Sequence, residues 1–344
     1  MKKDEILLGK LALSESIGRA ELASMLPDAV SDATLKRALQ RLVSSGKVEV
    51  SGKARATRYR LSAASLLLEK VDLNEYYSRE ADGREVRTEY NLQLIGEILP
   101  KVDLYTAGER GHLLSLQAQY ARRAAEMPPD ARQKELKRFG IDLSWKSSQI
   151  EGNTYTLLET ERLLEEQKTA AGRTRDEATM LLNHKDALDD IVQHPDSFRE
   201  LSMEKIAKIH THLVKYLGVD NLIRTYGVGI TGTNYRPLER DTRIRSELEA
   251  ACRLVNGTAC VFSKALLTLA LVSYIQPYSD GNKRTARMAA NAVMMAHGYC
   301  PLSYRTVDSI DYKKAMLLFY ERNNISAIKD IFMEQFEDAV KRYF

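Results

Sequence analysis

The chain has 344 residues, 44% of them hydrophobic and 28% charged, with 51 basic against 47 acidic side chains. Those values describe a soluble globular chain of two or three domains, and a net charge of +4 is too small for the whole chain to be a nucleic-acid binder. No apolar run approaches the roughly 20 residues of a membrane span, the N-terminal MKKDEILLGK lacks the apolar core of a signal peptide, and Cys252, Cys260 and Cys300 form no CxxC pair, so a cytoplasmic protein with reduced thiols and no membrane partner is expected.

The basic surplus lies at the N-terminus, where residues 1–62 hold 12 Lys/Arg against 7 Asp/Glu. Ile6, Leu7, Leu8 and Leu11 begin a helix, a second spans about 19–26 after Gly18, and a third spans about 32–45 and stops at Gly46. Residues 47–50 and 56–61 read as strands joined by Ser51-Gly52-Lys53. Three helices followed by a β-hairpin resemble a winged helix-turn-helix. In the third helix Leu35, Leu39 and Leu42 make an inward stripe, while Lys36, Arg37, Gln40 and Arg41 face outward. Lys53, Arg55, Arg58 and Arg60 decorate the hairpin. Lys36, Arg37, Arg41 and Arg58 are the candidate DNA contacts, since a major groove accepts a helix and its phosphates accept a basic wing. The same surface suits protein docking equally well, and no residue can be assigned to a base.

Residues 63–135 read as a polar helical connector, with Leu66 to Leu68 and Leu92, Leu94, Ile95, Ile98 and Leu99 as its apolar stretches and a break at Met127-Pro128-Pro129-Asp130. From 136 to 344 helical periodicity dominates, interrupted by one strand-like piece over 228–237. The fold class is therefore mainly α. No internal repeat is visible, which excludes a solenoid.

The chemistry concentrates in residues 276–287, Gln-Pro-Tyr-Ser-Asp-Gly-Asn-Lys-Arg-Thr-Ala-Arg. An apolar helix over 265–275 precedes them, and a second over 284–297 follows, closed by Gly298. Asp280-Gly281-Asn282 thus sits at a helix N-terminus, where free N–H groups and the positive dipole end favour phosphate. Gly281 permits close approach to a ligand. Arg284 and Arg287, three apart, can both reach a polyphosphate, and Asp280 is a hard oxygen ligand suited to magnesium beside it.

This pattern resembles the Fic motif, His-x-Phe-x-Asp-Gly/Ala-Asn-Gly/Lys-Arg-x-x-Arg. The resemblance implies Tyr278 as the loop's aromatic anchor, Asp280 as the magnesium ligand, Asn282 as a phosphate-contacting amide, and Gly281, Lys283, Arg284 and Arg287 as further nucleotide contacts. Upstream, Ser147-Ser-Gln-Ile-Glu151-Gly152 is similar to the family's inhibitory motif, which implies an inhibitory helix at about 140–152 whose Glu151 pairs with Arg287. The alternative for Glu151 is an N-terminal helix charge before Thr154. Asn183-His184 resembles the family's Asn-His pair. Arg224, Val228, Ile230, Gly232, Tyr235 and Pro237 resemble its flap, a hairpin on which the target polypeptide lies as an added strand; alternation at Val228 and Ile230 before a Thr-Gly-Thr-Asn turn suits a hairpin independently. The expected architecture is a Fic-type helical domain with a small β-hairpin flap, preceded by a winged helix-turn-helix.

Two departures matter. Gln276 stands where the motif has its general-base histidine; an amide cannot take a proton near neutral pH, and losing a general base costs about 10²–10⁴-fold in rate. Lys283 replaces the commoner glycine and resembles the death-on-curing branch, whose members phosphorylate their target. The resemblance implies ATP and Mg²⁺ as substrate and cofactor and a Ser, Thr or Tyr hydroxyl of a protein as acceptor of AMP. The rivals are phosphoryl transfer, from Lys283, and a non-catalytic ATP sensor or DNA-binding regulator, from Gln276 and the N-terminal domain. Homo-oligomerisation stays open. His210 and His212, two apart, face different sides of their helix and cannot share a metal; they and His112, His184, His194 and His297 read as structural or surface residues.

Overall fold

The computed structural model describes residues 2–26 and 31–344, without the side chains of Lys2, Lys3, Glu5 and Arg55. Arg55, expected on the hairpin, therefore has a side chain outside the described residues. The chain is mainly helical and folds as two compact units, residues 1–102 with 229–236 and 317–327, and residues 103–228 with 237–316 and 328–344. No described helix is long and apolar enough to cross a membrane.

The first unit opens with α1 (Lys2–Leu11), β1 (Ile17–Gly18), α2 (Arg19–Ser24), α3 (Asp32–Ser44), β2 (Val48–Ser51) and β3 (Arg58–Leu61). α3 starts where the Ser31 hydroxyl accepts from Thr34 N at 3.3 Å, and it ends at Gly46, whose φ of +72° lets Lys47 N reach back to Leu42 O. Leu35, Leu39 and Leu42 are buried as expected, against Leu7, Leu11, Leu22 and Val48. The sheet has the order β1-β3-β2, antiparallel throughout, with Ile17 opposite Tyr59 and Val48 opposite Leu61. A two-residue strand such as β1 leaves no periodic signal, which is why only two strands were legible. β3 starts two residues later than expected because a 3₁₀ turn over Ala54–Ala56 intervenes, and a side chain at Gly52 would stand 2.1 Å from Ala56 O.

The basic surface is largely neutralised by its neighbours. Arg41 makes two bonds to Asp4, at 2.5 and 3.2 Å. Arg58 donates to Ser16 and lies 3.6 Å from Glu21, Arg60 pairs with Glu49, and Arg19 pairs with Asp32. Lys36 and Arg37 are exposed and take no ion pair among the described residues.

α4 (Ala63–Leu68) and α5 (Leu73–Tyr76) follow, after which the chain is mostly irregular to a π-helical turn at Leu94–Ile98. Helical periodicity is overridden over 84–91 because that stretch is tied to residues 317–327 by polar contacts, among them Arg87 N to Glu321 O and the Asn91 amide to Asn323. Residues 228–237 belong to no strand. The expected hairpin does not form: Arg236 N donates to Thr88 O, and Arg236 bridges Glu89 in parallel, so the groups a hairpin would pair internally are used by the 81–89 loop.

The second unit contains α6 (Ala107–Glu126), α7 (Pro129–Ile150), α8 (Leu157–Glu166), α9 (Arg175–Gln193), α10 (Met203–Val214), α11 (Asp241–Gly257), α12 (Val261–Ile275) and α13 (Asn282–Ala296). Two further helices are α14 (Ser309–Arg322) and α15 (Ser326–Arg342). Pro129 is the first residue of α7, where its missing N–H costs nothing. α12 is buried from Phe262 to Ile275, and α13 packs along it. A central apolar helix of that kind supplies a rigid floor for the loop between them.

Leu39→Ala removes a fully packed side chain from the core of the three-helix module and should destabilise it by about 2–5 kcal/mol. Amide exchange over α3 checks this: α3 should lose protection while α12 and α13 keep theirs.

Candidate active site

α12 ends at Gln276, which adopts φ 51° and ψ 60°, a left-handed conformation uncommon outside glycine. Arg224 holds that turn. Its Nε donates to Gln276 O at 2.7 Å, its Nη2 to Ile275 O, and its own N–H to Pro277 O. Both ends of the Gln276 side-chain amide are spent: Nε2 donates to Ser273 O at 2.6 Å and Oε1 accepts from Asn282 Nδ2 at 3.0 Å. Asn282 closes the loop, donating also to Tyr278 O and accepting from Tyr278 N. Its amide is thus fully engaged within the turn. Tyr278 is 1% exposed and stacks on His210 with ring centroids 3.6 Å apart.

His210 lies under the Asp280-Gly281 turn. Its Nε2 is 2.9 Å from Asp280 O, and because a carbonyl only accepts, Nε2 carries the proton and buried Nδ1 is left without a partner. Gly281 has φ +79°, and a Cβ there would stand 2.9 Å from Val214 and 3.3 Å from His210. Only glycine fits. α13 starts at this glycine with no side-chain cap, so its first N–H groups remain available to a ligand.

Arg284 is 3% exposed, and its nearest carboxylate oxygen is Asp280 Oδ2 at 3.7 Å. Burial pulls its pKa below the ordinary value, with Asp280 and Glu151 opposing the shift and Arg287 adding to it. A buried guanidinium so weakly compensated is costly without a further anion. Asp280 is exposed; its Oδ1 accepts from Gly281 N, which leaves Oδ2 accessible. Among the described residues no group of three or more His, Cys, Asp or Glu could hold a metal by itself. The donor set therefore suits a cation held mostly by phosphate oxygens and water, with one carboxylate from the protein.

Arg287 is fully buried. Its Nη2 donates to Glu151 Oε1 at 2.8 Å and to Ser147 O at 2.8 Å, and its Nε donates to Ser147 Oγ at 2.9 Å. The Tyr312 ring lies 5.3 Å from the guanidinium carbon, and Nη1 is buried without a hydrogen-bond partner. Burial would lower the Arg287 pKa, but Glu151 and Tyr312 outweigh it and raise it. Burial would likewise raise Glu151, yet Arg287, Lys283 and Arg284 hold its carboxyl below the usual range.

Glu151 is the C-cap of α7, so the N-terminal helix charge considered above is not its setting. A carboxylate there opposes the helix dipole at about 0.3–1 kcal/mol, a cost the Arg287 pair offsets. The loop beyond is fixed by Trp145 Nε1 donating to Tyr155 O and by Glu177 accepting from Thr154 and Thr174.

His184 completes the arrangement. Its Nδ1 is 2.9 Å from Met180 O and must donate there, which leaves Nε2 to accept from the Ser147 hydroxyl at 3.0 Å. The Ser147 oxygen is thereby turned toward Arg287 Nε. Burial first, and then repulsion from Arg284, push the His184 pKa down to about 3; burial pushes His210 down to about 4.

The structure thus joins Gln276, Asp280, Gly281, Asn282, Lys283, Arg284 and Arg287 with Ser147 and Glu151 in one unit, while Ile230, Gly232 and Tyr235 belong to the other and Val228 ends the segment 103–228. Residues 200–294 match the Fic/DOC family. That segment is a Fic domain. A protein adenylyltransferase Fic from Nematostella vectensis is 26% identical over 241 residues, covering 64% of this chain and 49% of its own length. One from Drosophila ananassae is 27% identical over 165 residues, covering 44% and 31%. The chain spans half or less of the curated relatives it matches. Among solved structures, Fic-1 from C. elegans superposes with a TM-score of 0.61 at 19% identity, over 69% of this chain and 72% of that one. A Fic domain containing signaling protein from Bacteroides thetaiotaomicron gives 0.56 at 19%, over 68% and 94%. These likenesses show the fold.

Sequence reading matched Asn183-His184 to a family pair without giving His184 a role, and it did not single out His210; the structure makes His184 the orienter of Ser147 and His210 the support of the Asp280 carbonyl. His210 is 70 residues from its partner, and no local pattern marks it. Both imidazoles are neutral in the folded chain. Their folded pKa values lie below the unfolded value of about 6.5, so stability is complete above pH 6.5 and is lost as pH falls toward 4 and then 3, by about 1.4 kcal/mol per pH unit for each site. Denaturant midpoints at pH 7, 6 and 5 should fall, and His184→Asn should flatten part of that slope. A midpoint constant from pH 7 to 5 would contradict neutral, buried imidazoles.

Proposed function

We propose that the Fic domain binds ATP with Mg²⁺ and transfers AMP to a Ser, Thr or Tyr hydroxyl of a protein, and that Glu151 and Gln276 both hold this activity low. The observation that carries the reading is Arg284: a guanidinium 3% exposed, 3.7 Å from its nearest carboxylate, on the first turn of an uncapped helix that starts at an obligatory glycine. Such a site recognises phosphate by charge and by backbone N–H together. The adenylyltransferase names of the relatives point the same way.

In the reaction, the hydroxyl oxygen forms a bond to the α-phosphorus, the bond from that phosphorus to the bridging oxygen breaks, and diphosphate leaves. When bound, Mg²⁺ would neutralise the diphosphate charge from the Asp280 side. Arg284, the α13 N–H groups and Arg287, once free of Glu151, would position the phosphates. The hydroxyl proton finds no acceptor at Gln276, since the amide oxygen already accepts from Asn282 and is not basic. It leaves to solvent or to phosphate oxygen, and the step is slow. Residues 228–237 serve as the docking edge for the target in this reading.

Titration of the intact protein and of Glu151→Gly with Mg-ATP tests binding: Glu151→Gly should bind more tightly, because Arg287 is released, and Arg284→Ala should lose binding. Absence of binding to Glu151→Gly would end the ATP assignment. Gln276→His combined with Glu151→Gly should raise protein labelling about 10²–10⁴-fold over Glu151→Gly alone. Label from α-labelled ATP supports AMP transfer, and label from γ-labelled ATP alone would replace it with the phosphoryl transfer that Lys283 suggests.

For the three-helix module of the first unit we infer a weak polyanion surface centred on Lys36 and Arg37, because Arg41 and Arg58 are already paired with acidic side chains. With two or three free cations, log affinity for random duplex DNA should fall against log salt with a slope of only about −2 to −3. No detectable binding at low salt would leave this face to protein docking.

A further inference from the structure

Outside the candidate active site, Arg84 and Glu321 form a buried ion pair. Arg84 and Glu321, both in the first unit, have side chains 6% and 0% exposed. Arg84 Nε donates to Glu321 Oε2 at 3.2 Å and Nη2 to Oε1 at 2.7 Å, a two-point fork. Tyr76 donates its hydroxyl to Oε2 at 2.7 Å, and the Tyr77 ring lies 4.7 Å from the guanidinium carbon. The carboxylate is therefore saturated, as a buried charge requires.

Arg84 has a further bond that the ion pair does not need. Nη2 also donates to the carbonyl of Gly232 at 2.5 Å. Gly232 has φ +87°, and a Cβ there would stand 3.4 Å from Leu317. Two residues on, Asn234 Nδ2 donates to Ala81 O and Asp82 Oδ1, and Arg236 N donates to Thr88 O at 2.8 Å. Residues 229–236 have no hairpin of their own; these three polar anchors hold them together with the buried Tyr235 ring against Tyr320, and Arg84 is the anchor that is both charged and buried. A lysine could keep the charge beside Glu321 but has no fork with which to grip the carboxylate and the Gly232 carbonyl together.

We propose that Arg84 is a positioning residue for the protein substrate: through the Gly232 carbonyl it fixes the 229–236 segment in the shape on which a target polypeptide docks. Arg84 thereby governs transfer to protein and leaves ATP binding alone. The proposal rests on reading 228–237 as the docking edge of an AMP-transferring Fic domain.

Two variants separate positioning from folding. Arg84→Lys keeps a cation beside Glu321; Arg84→Met with Glu321→Gln removes both charges and keeps the volume. Amide exchange over 229–236 should accelerate roughly tenfold or more in each, the scale of one charge-assisted hydrogen bond, with α12 and α13 unchanged. In a Gln276→His, Glu151→Gly background, Arg84→Lys should cut α-label transfer to whole-lysate protein by a similar factor at low lysate concentration. Raising the lysate concentration should recover it, while Mg-ATP affinity and release of AMP to water stay within about twofold, since no phosphate contact is touched. Unchanged exchange over 229–236 overturns the clamp whatever the activity. Faster exchange with unchanged labelling overturns its role in docking. If the parent background binds ATP and labels nothing, the transferase reading fails and the docking role with it, and amide exchange still decides whether Arg84 holds the segment.

Discussion

The Arg287 guanidinium is fully buried, and the site is organised by the need to compensate that charge. A bare cation in the protein interior is prohibitively costly, so it must be met by an anion and by acceptors with good geometry. Glu151 supplies the anion, Ser147 supplies two oxygens, and Tyr312 covers one side. Meeting those needs fixes the end of α7 against the start of α13. His184, kept neutral by its own burial and by Arg284, accepts from the Ser147 hydroxyl and leaves the oxygen to accept from Arg287. The same ion pair thus occupies the second arginine of the 276–287 loop. Breaking that pair would leave Arg287 buried and uncompensated unless another anion took the place of Glu151.

Conformation and chemistry are tied equally closely at Gln276. The left-handed turn that ends α12 is stabilised from below by Arg224 and from the side by the Gln276 amide, which links Ser273 O to Asn282. A residue spent on holding the loop is a structural pin more than a reactive group. Arg284, by contrast, is buried and under-compensated, and the α13 N-terminus is uncapped. The loop is therefore asymmetric, rich in cationic and N–H donors and poor in groups that receive a proton. That asymmetry predicts binding ahead of turnover.

The segment 229–236 illustrates how a tertiary environment replaces local pairing. Val228, Ile230 and the Thr-Gly-Thr-Asn stretch carry the alternation of a hairpin, yet Asn234 and Arg236 bond to residues 81–88 instead of to each other's strand. Backbone groups pair wherever the whole fold offers the better partner, and a buried ion pair such as Arg84–Glu321 is a stronger anchor than a two-residue turn in water.

Much of this protein was legible from residue types and spacing. Leu35, Leu39 and Leu42 defined the inner face of α3, Pro128-Pro129 marked a helix boundary, and Gly281 marked the turn at the start of α13. The inner face of α3, the start of α7 and the glycine turn at the α13 N-terminus are local, and a period of 3.6 or a glycine before a basic turn records them directly. Other features depended on residues distant in sequence. His184 and His210 came to shape the loop only because residues 37 and 70 positions away came to lie beside them, Glu151 proved to be a helix C-cap, and the charges of Arg41 and Arg58 are offset by Asp4 and Glu21. Sequence fixes which groups are available and which backbone shapes are affordable, whereas partnership of a buried charge is a property of the packed chain, because the energy that selects the partner exists only once water has been excluded.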